Sequence, residues 1–320
     1  MRAVRFHDYG GPSVLRFESV SEPTLRPDEV LVATHMIGVN PTETYTREGY
    51  RDHDLPRIPG ADFAGVVEAV GESVKSVAPG DRVFGTGLQN DRQGSYAEYL
   101  PVREDRLAHL PDSVSFEQGA GIGIVGVTAW QTLVAYGNLS PGDTCLIHGA
   151  SGGVGHVAVQ LASQAGARVL GTVGSDQAAA AVESLGADTV LTYASTDLET
   201  AILDVAPDGV DVVLDHRLEE YLQLDLDVGA PGVTIVGIGR ATDQPEIENI
   251  WPAIHTDATI QISSMSNTPD LPAVLDRLAT LLSREQLRVV VDRIYDLEDA
   301  ESAHRALTDA HVVGKVLLRP

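Results

Sequence analysis

The chain has 320 residues, with 22 lysines and arginines against 46 aspartates and glutamates, a formal net charge of −24. That length accommodates two ordinary domains, each able to bury a core of its own. The charge argues against a nucleic-acid partner and against an anionic membrane surface, both of which would repel it.

The acid is dispersed along the chain, without runs of like charge, so it belongs to the whole surface. Lysine occurs only at Lys75 and Lys315, and arginine carries nearly all the positive charge. A lysine-poor acidic surface suits a high-salt cytoplasm, where screening shrinks the reach of charge repulsion to ~3 Å at molar ionic strength. The alternative is an acidic enzyme from a GC-rich genome living in ordinary salt. Cys145 is the single cysteine, which excludes an intrachain disulfide and a cysteine-rich zinc lobe. It falls in an apolar strand-like run and reads as a buried small hydrophobe rather than a nucleophile. No N-terminal apolar signal segment and no apolar stretch of about eighteen residues is evident, so the expectation is a soluble, cytoplasmic protein.

From Met1 to about Asp112 the chain reads as short strands between Gly, Pro and Asp turns, at 29–40, 64–71, 81–86 and 95–102. Pro59-Gly60 and Pro79-Gly80 supply turn chemistry. From about Thr144 strands and helices alternate: a strand at 144–148, a helix at 154–165, a strand at Arg168–Val173, a helix at 176–185. Further strands follow at Thr189–Thr192, Val210–Asp215, 233–238 and Thr259–Ile262. Near-continuous apolar strands alternating with helices predict a parallel sheet covered on both faces. After Pro269 come a helix, a strand at 288–295, a helix at 297–307 and a strand at 313–318, a tail that breaks the alternation and is expected to rejoin the β-rich half. The expected fold is α/β: a β-rich domain from residues 1–120 and 266–320, and a doubly wound domain from 121–265.

The strongest local signal is His148-Gly149-Ala150-Ser151-Gly152-Gly153-Val154-Gly155, which leaves an apolar strand and opens an apolar helix. Glycines let the backbone approach a pyrophosphate, and a helix N-terminus favours its negative charge. Gly155 allows close helix–strand packing. The first glycine of the usual G-x-G-x-x-G pattern is replaced by Ala150. A tight turn that binds nothing is the competing reading, and the strand–helix context argues against it.

These residues carry a resemblance that covers nearly the whole chain. Met1-Arg2-Ala3-Val4, Asn40-Pro41-Thr42-Glu43-Thr44-Tyr45, Pro59-Gly60-Ala61-Asp62-Phe63-Ala64-Gly65, Gly80-Asp81-Arg82-Val83, Gly126-Val127-Thr128-Ala129, the glycine loop, Leu185-Gly186-Ala187-Asp188 and Gly314-Lys315 resemble the landmarks of the NADPH:quinone oxidoreductase branch of the medium-chain dehydrogenase/reductases. The resemblance implies a GroES-like catalytic domain, a Rossmann domain, and a cleft between them where a nicotinamide delivers hydride to a quinone or related activated carbonyl compound. Positions that hold catalytic zinc in zinc-dependent relatives are occupied here by Asn40, Ala61 and Ile124; neither alanine nor isoleucine can coordinate, so no metal is expected.

In the catalytic half the resemblance points to Asn40 and Tyr45: the amide to orient the cofactor or a substrate oxygen, the phenol to donate to a carbonyl as charge develops. The structural alternative is that Asn40 caps a helix and Tyr45 packs in it. For the cofactor it implies Thr128, Ala150, Ser151, Gly152, Gly153, Val154, Gly155, Gly174, Ser175, Tyr193, Gly239 and Lys315. NADPH is favoured over NADH because Val173 stands where NAD-specific relatives carry an acid for the ribose diol. Gly174, Ser175 and Tyr193 offer groups to a 2′-phosphate instead. Ala178 replaces a lysine common at that site and Asp176 adds a negative charge, so the preference over NADH is expected to be modest. The chain departs again after Asp215, where relatives continue Val-Gly-Gly and this chain has His216-Arg217-Leu218. An alkenal or enone double-bond reductase, and a non-catalytic nucleotide binder like the lens crystallins of this branch, remain alternatives. A homodimer through the edge strand Thr259–Ile262 is expected.

The dispersed acid makes one prediction directly. If it is a salt adaptation, the protein's melting temperature and activity fall steeply below about 1 M salt. Full activity after dialysis into dilute buffer contradicts that reading.

Overall fold

The computed structural model describes residues 1–50, 52–87, 92–193, 197–239, 244–309 and 312–320. Its chain divides into two compact units, Met1–Val127 with Pro269–Pro320, and Thr128–Thr268. The sequence put those limits at 120/121 and 265/266.

The first unit opens with a two-stranded antiparallel ribbon, β1 (Arg2–Arg5) and β2 (Arg16–Ser19). β3 (Glu29–Val39) follows, then helix α1 (Pro41–Arg47) and β4 (Asp62–Val70). β5 (Arg82–Gly85), β6 (Tyr99–Arg103), β7 (Leu107–His109) and helix α2 (Phe116–Trp130) complete the first pass. The second unit alternates strictly: β8 (Thr144–Ile147), α3 (Gly155–Gln164), β9 (Arg168–Val173), α4 (Asp176–Glu183), β10 (Thr189–Thr192), α5 (Leu198–Val205), β11 (Val210–Asp215) and α6 (Leu218–Asp227). β12 (Gly229–Gly237), α7 (Trp251–Thr256) and β13 (Thr259–Ile262) finish it. The chain then returns to the first unit with α8 (Leu271–Ser283), β14 (Val291–Asp296), α9 (Ala300–Asp309) and β15 (Lys315–Arg319).

β3 is the hub of the first unit. Its N-terminal half pairs with β6, its C-terminal half with β15, and β4 runs along most of its length. The resulting order is β14-β15-β3-β4-β5-β7, so the tail does rejoin the β-rich half. One strand can serve three neighbours because β6 and β15 pair with different stretches of it, residues 29–33 and 37–39, and Val30, Val32, Ile37 and Val39 are sealed in the core.

In the second unit all six strands are parallel, in the order β10-β9-β8-β11-β12-β13. From β8 the chain winds outward through β9 and β10, then crosses back to β11 on β8's other side. The carboxyl ends of β8 and β11 therefore border the point where the winding reverses, the place where open α/β sheets bind ligands. Cys145 lies in β8, fully buried, and burial pushes its thiol pKa up.

One continuous helical stretch escaped the sequence reading. Phe116–Tyr136 spans 21 residues with a mean hydropathy of 1.2, enough by length and composition to cross a membrane, and 67% of that window is buried within the protein. A helix apolar on every side gives no amphipathic period to read.

Candidate functional site

Three strand ends in the first unit assemble a buried polar cluster. Gly38 near the end of β3 pairs with Asp62 at the start of β4, and Val39 pairs with Val316 near the start of β15. Asn40, Asp62 and Lys315 are thereby brought together, all nearly inaccessible to solvent. The Asn40 amide donates to Asp62 Oδ2 at 2.9 Å and to Glu43 Oε1 at 3.5 Å, while its oxygen accepts from Lys315 Nζ. Lys315 Nζ also donates to the carbonyl of Val39 at 2.9 Å and lies 3.8 Å from Asp62 Oδ2. The Ile124 backbone N–H donates to Asp62 Oδ1 at 2.8 Å. Gly123 beside it is obligatory, since a Cβ there would meet that carboxylate oxygen at 2.3 Å.

Asn40 is also the N-cap of α1, in a reciprocal capping box in which Glu43 accepts the Asn40 backbone N–H at 2.6 Å. Both amide hydrogens of Asn40 are thus engaged, and its oxygen is taken up by the Lys315 ammonium and the cap. Tyr45 lies half-buried in the same helix.

Two buried carboxyls share one buried lysine. Burial is the main force raising the Glu43 pKa to about 8, with the neighbouring Asp62 charge second; burial also raises Asp62 and lowers Lys315. The arrangement holds one extra proton, on Glu43, at neutral pH.

In the second unit, the glycine loop leaves β8 at the reversal point. The residue with the left-handed backbone is Gly149, φ +63, one position ahead of the substituted Ala150. Ala150 is fully buried, packed on Gly171 of β9 where a Cβ would approach its methyl to 2.8 Å. Gly155 has no room for a side chain, since a Cβ would stand 2.2 Å from the Gly149 carbonyl. Gly152 closes the turn onto Gly149 at 2.9 Å. Ser151, Gly152, Gly153 and Val154 are partly exposed along the loop, and no side chain caps the N-terminus of α3.

The other strand ends converge on the same edge of the sheet. Val173 ends β9 fully buried and offers a ribose no polar atom. Gly174 follows it, and the Ser175 oxygen caps α4 by accepting from Ala178 N. Tyr193 follows β10, its hydroxyl oxygen accepting the Gly149 N–H at 2.8 Å. His216, just past β11, lies over the loop: a Cβ on Gly149 would meet its ring at 2.7 Å. Burial lowers the His216 pKa to about 4, so this imidazole is neutral. Gly239, φ +78, follows β12. Thr128 sits in α2, its carbonyl accepting the Thr132 hydroxyl at 2.9 Å.

The structure thus gathers the loop residues with Gly174, Ser175, Tyr193 and Gly239 at the carboxyl ends of one sheet. Asn40, Tyr45 and Lys315 belong to the other unit, where Lys315 turns its ammonium to protein oxygens. Sequence reasoning passed over Asp62, Glu43, Thr172 and Asp225. Glu43 carried a signal, an acid three residues after a capping asparagine. Asp225 carried none, because it sits among the partly or fully exposed acids Glu219, Glu220 and Asp227 of the same helix. Among the described residues no group of three or more His, Cys, Asp or Glu side chains is placed to hold a metal.

The alcohol dehydrogenase GroES-like domain matches residues 26–112, and the zinc-binding dehydrogenase family matches residues 185–318. The quinone oxidoreductase of Sus scrofa is 34% identical over 99% of this chain and 97% of its own. A crystal structure of an NAD-dependent alcohol dehydrogenase superposes with a TM-score of 0.94 at 31% identity, covering all of both chains. The Escherichia coli quinone oxidoreductase complexed with NADPH gives 0.92 at 29% identity, again over both chains in full.

The raised Glu43 pKa has a measurable consequence. An unfolded glutamate ionises near 4.5, whereas the folded one stays protonated up to about 8; the folded state then binds more protons, and stability falls as pH rises through that window. Glu43→Gln keeps the cap and removes the titration. Its melting temperature is expected to decline less than the wild type's between about pH 5 and about pH 8. Parallel profiles for the two proteins would show that Glu43 is not the proton holder.

Proposed function

The chain belongs to the quinone oxidoreductase branch of the medium-chain dehydrogenase/reductases, and from that membership we propose that it reduces quinones or related activated carbonyl compounds with NADPH, without zinc. The observation that carries this reading is the glycine loop at the winding reversal of the parallel sheet. A loop turned by Gly149 and closed against Gly155, at an uncapped helix N-terminus, fits a dinucleotide pyrophosphate. The residues that would hold the cofactor are Ala150 to Gly155 at the pyrophosphate and Gly174, Ser175 and Tyr193 at the adenosine phosphate, with Thr128 and Gly239 flanking.

When bound, the nicotinamide supplies the hydride. The protein's part is to orient the reactants and to donate a hydrogen bond as negative charge develops on the quinone oxygen. Tyr45 is the donor we assign to that oxygen. Lys315 and Asp62 hold the Asn40 amide in register. Zinc independence is supported by the donor set: Asn40 is committed to Asp62, Glu43 and Lys315, and Ala61 and Ile124 bring no ligating side chain. Without a Lewis acid, alcohol oxidation at neutral pH is disfavoured, which favours acceptors that delocalise the incoming charge.

The preference for NADPH is supported by the buried Val173 and by Tyr193 at the edge of the loop. NADPH consumption with a panel of quinones and enones, before and after dialysis against a chelator, tests the whole reading. Quinone-dependent oxidation that survives chelation, with a larger kcat/KM for NADPH than for NADH, is the expected result. Activity restored only by zinc, or a larger kcat/KM for NADH, contradicts it.

A second observation favours a homodimer. β13 is an edge of the six-stranded sheet, and Ile262 on it is 63% exposed, with Trp251 and Ile254 of α7 at 60% and 52%. An apolar edge strand beside an apolar helix face invites pairing with an identical edge. Light scattering should give about twice the 34.0 kDa chain mass, and Ile262→Lys should halve it. A wild-type monomer in molar salt refutes the dimer.

A further inference from the structure

Beneath the glycine loop a chain of hydrogen bonds runs from the protein interior to its surface. Asp225 Oδ1 lies 2.9 Å from His148 Nε2, and His148 Nδ1 lies 3.0 Å from Thr172 Oγ1. Thr172 Oγ1 is 3.1 Å from the Tyr193 hydroxyl, which also accepts the Gly149 N–H. Asp225, His148 and Thr172 are sealed from solvent, and Tyr193 is half-buried. Tyr221 stacks on both rings, 4.5 Å from His148 and 5.8 Å from Tyr193, the latter within 5° of parallel. The ring of Tyr193 is therefore held in plane, and only its proton is free to choose a direction.

Acid, imidazole and hydroxyl can each give or take a proton, so the chain has two self-consistent directions. In the inward direction Tyr193 donates to Thr172, Thr172 to His148, and His148 to an ionised Asp225. In the outward direction a protonated Asp225 donates to His148 Nε2, His148 Nδ1–H to Thr172, and Thr172 to Tyr193. The Gly149 N–H can only donate, whichever direction holds.

Burial chooses between them. An ionised Asp225 would be a carboxylate with no solvent, and among the described residues no lysine or arginine forms an ion pair with it. Its neighbour Asp215 is a second buried acid, raised to about 7 by burial and then by Asp225, and Asp225 itself lies well above the ordinary range, again through burial. Burial also lowers His148 to about 4, so the imidazole does not supply the missing charge. A neutral Asp225 whose proton sits on Oδ1, toward His148 and not toward Asp215, gives the outward direction, and this is the state from which the inference proceeds. Tyr193 then receives two hydrogens on its oxygen, and its own proton has nowhere to point but away from the chain.

We propose that Asp225, His148 and Thr172 are positioning residues that present the Tyr193 O–H as a fixed donor to the 2′-phosphate that distinguishes NADPH from NADH. The proposal rests on the reading above that Tyr193 meets that phosphate. A preset donor meets a dianion with a charge-assisted bond, whereas the hydroxyl of NADH gains much less. This is how the chain can favour NADPH with alanine at 178, where a lysine would otherwise help.

Dissociation constants for NADPH and NADH, read from the fluorescence of the bound nicotinamide on the full-length protein, separate the two layers. Tyr193→Phe tests the contact itself. It should weaken NADPH roughly tenfold, the loss of one charge-assisted bond, and leave NADH within about twofold. Thr172→Val and Asp225→Leu should do the same without touching the phosphate. Thr172→Ser and Asp225→Asn, whose hydroxyl and amide restore the donors, should return NADPH affinity to within about threefold of wild type. If Tyr193→Phe weakens NADPH but Thr172→Val and Asp225→Leu do not, the positioning chain is overturned and the phosphate contact stands. If Tyr193→Phe leaves NADPH unchanged, both fall. If the chain variants weaken NADPH and NADH equally, their role is only structural and the proposal is overturned.

Discussion

Lys315 puts a charge where water cannot follow, and much of the first unit is arranged around that. Its ammonium reaches the Asn40 oxygen across 275 residues of sequence, the Val39 carbonyl, and the neighbourhood of Asp62. A buried ammonium without oxygens would be prohibitively costly, so the strands that bring those oxygens must lie side by side. β3 ends there, β4 begins there and β15 begins there. The cluster thereby ties together the two parts of the unit, which are separated by the 141 residues of the second fold (128–268).

The same electrostatics appears in the second unit with the opposite solution. Asp215 and Asp225 are buried without a cation, and they give up charge rather than find a partner. One unit neutralises its acids with a lysine and a proton on Glu43; in the other, burial raises both acids toward their neutral forms. In a chain carrying 46 acids, the few that matter to the site are those removed from water. Protonation fixes the direction of a hydrogen bond, and a fixed direction is what an oriented donor needs.

How much of this could be read in the sequence depended on the distance between partners. The glycine loop was legible because its glycines, strand and helix are contiguous, although the residue needing a left-handed backbone proved to be Gly149, ahead of the substituted Ala150. Strands such as Arg168–Val173 and Val210–Asp215 matched their predicted limits because apolar, β-branched runs have sharp ends. The ribbon β1–β2, Arg-Ala-Val-Arg against Arg-Phe-Glu-Ser, was not among the strands read: four residues each are too few to show a period. Phe116–Trp130 was missed because glycines and valines spread over all its faces. Asn40 was noticed as a cap or a functional amide, and it does cap α1. Its ties to Asp62 and Lys315 are long-range, and no local pattern announces them. Asp225 in Leu-Gln-Leu-Asp-Leu-Asp resembles any solvated helix position until the fold turns it inward.

The return of β15 to β3 also bears on the order in which the protein can be made. Chain emerging from a ribosome presents β3, Asn40 and Asp62 well before Lys315, with the whole second unit in between. Until it arrives, residues 37–39 of β3 lack their β15 partner and the acids of the cluster lack their cation. The nucleotide-type unit, contiguous from Thr128 to Thr268, faces no such wait and can close first. β3 and β4 thus wait as an unfinished sheet with an open edge while the second unit is made, the stage at which a chaperone that covers exposed strands has most to offer this protein.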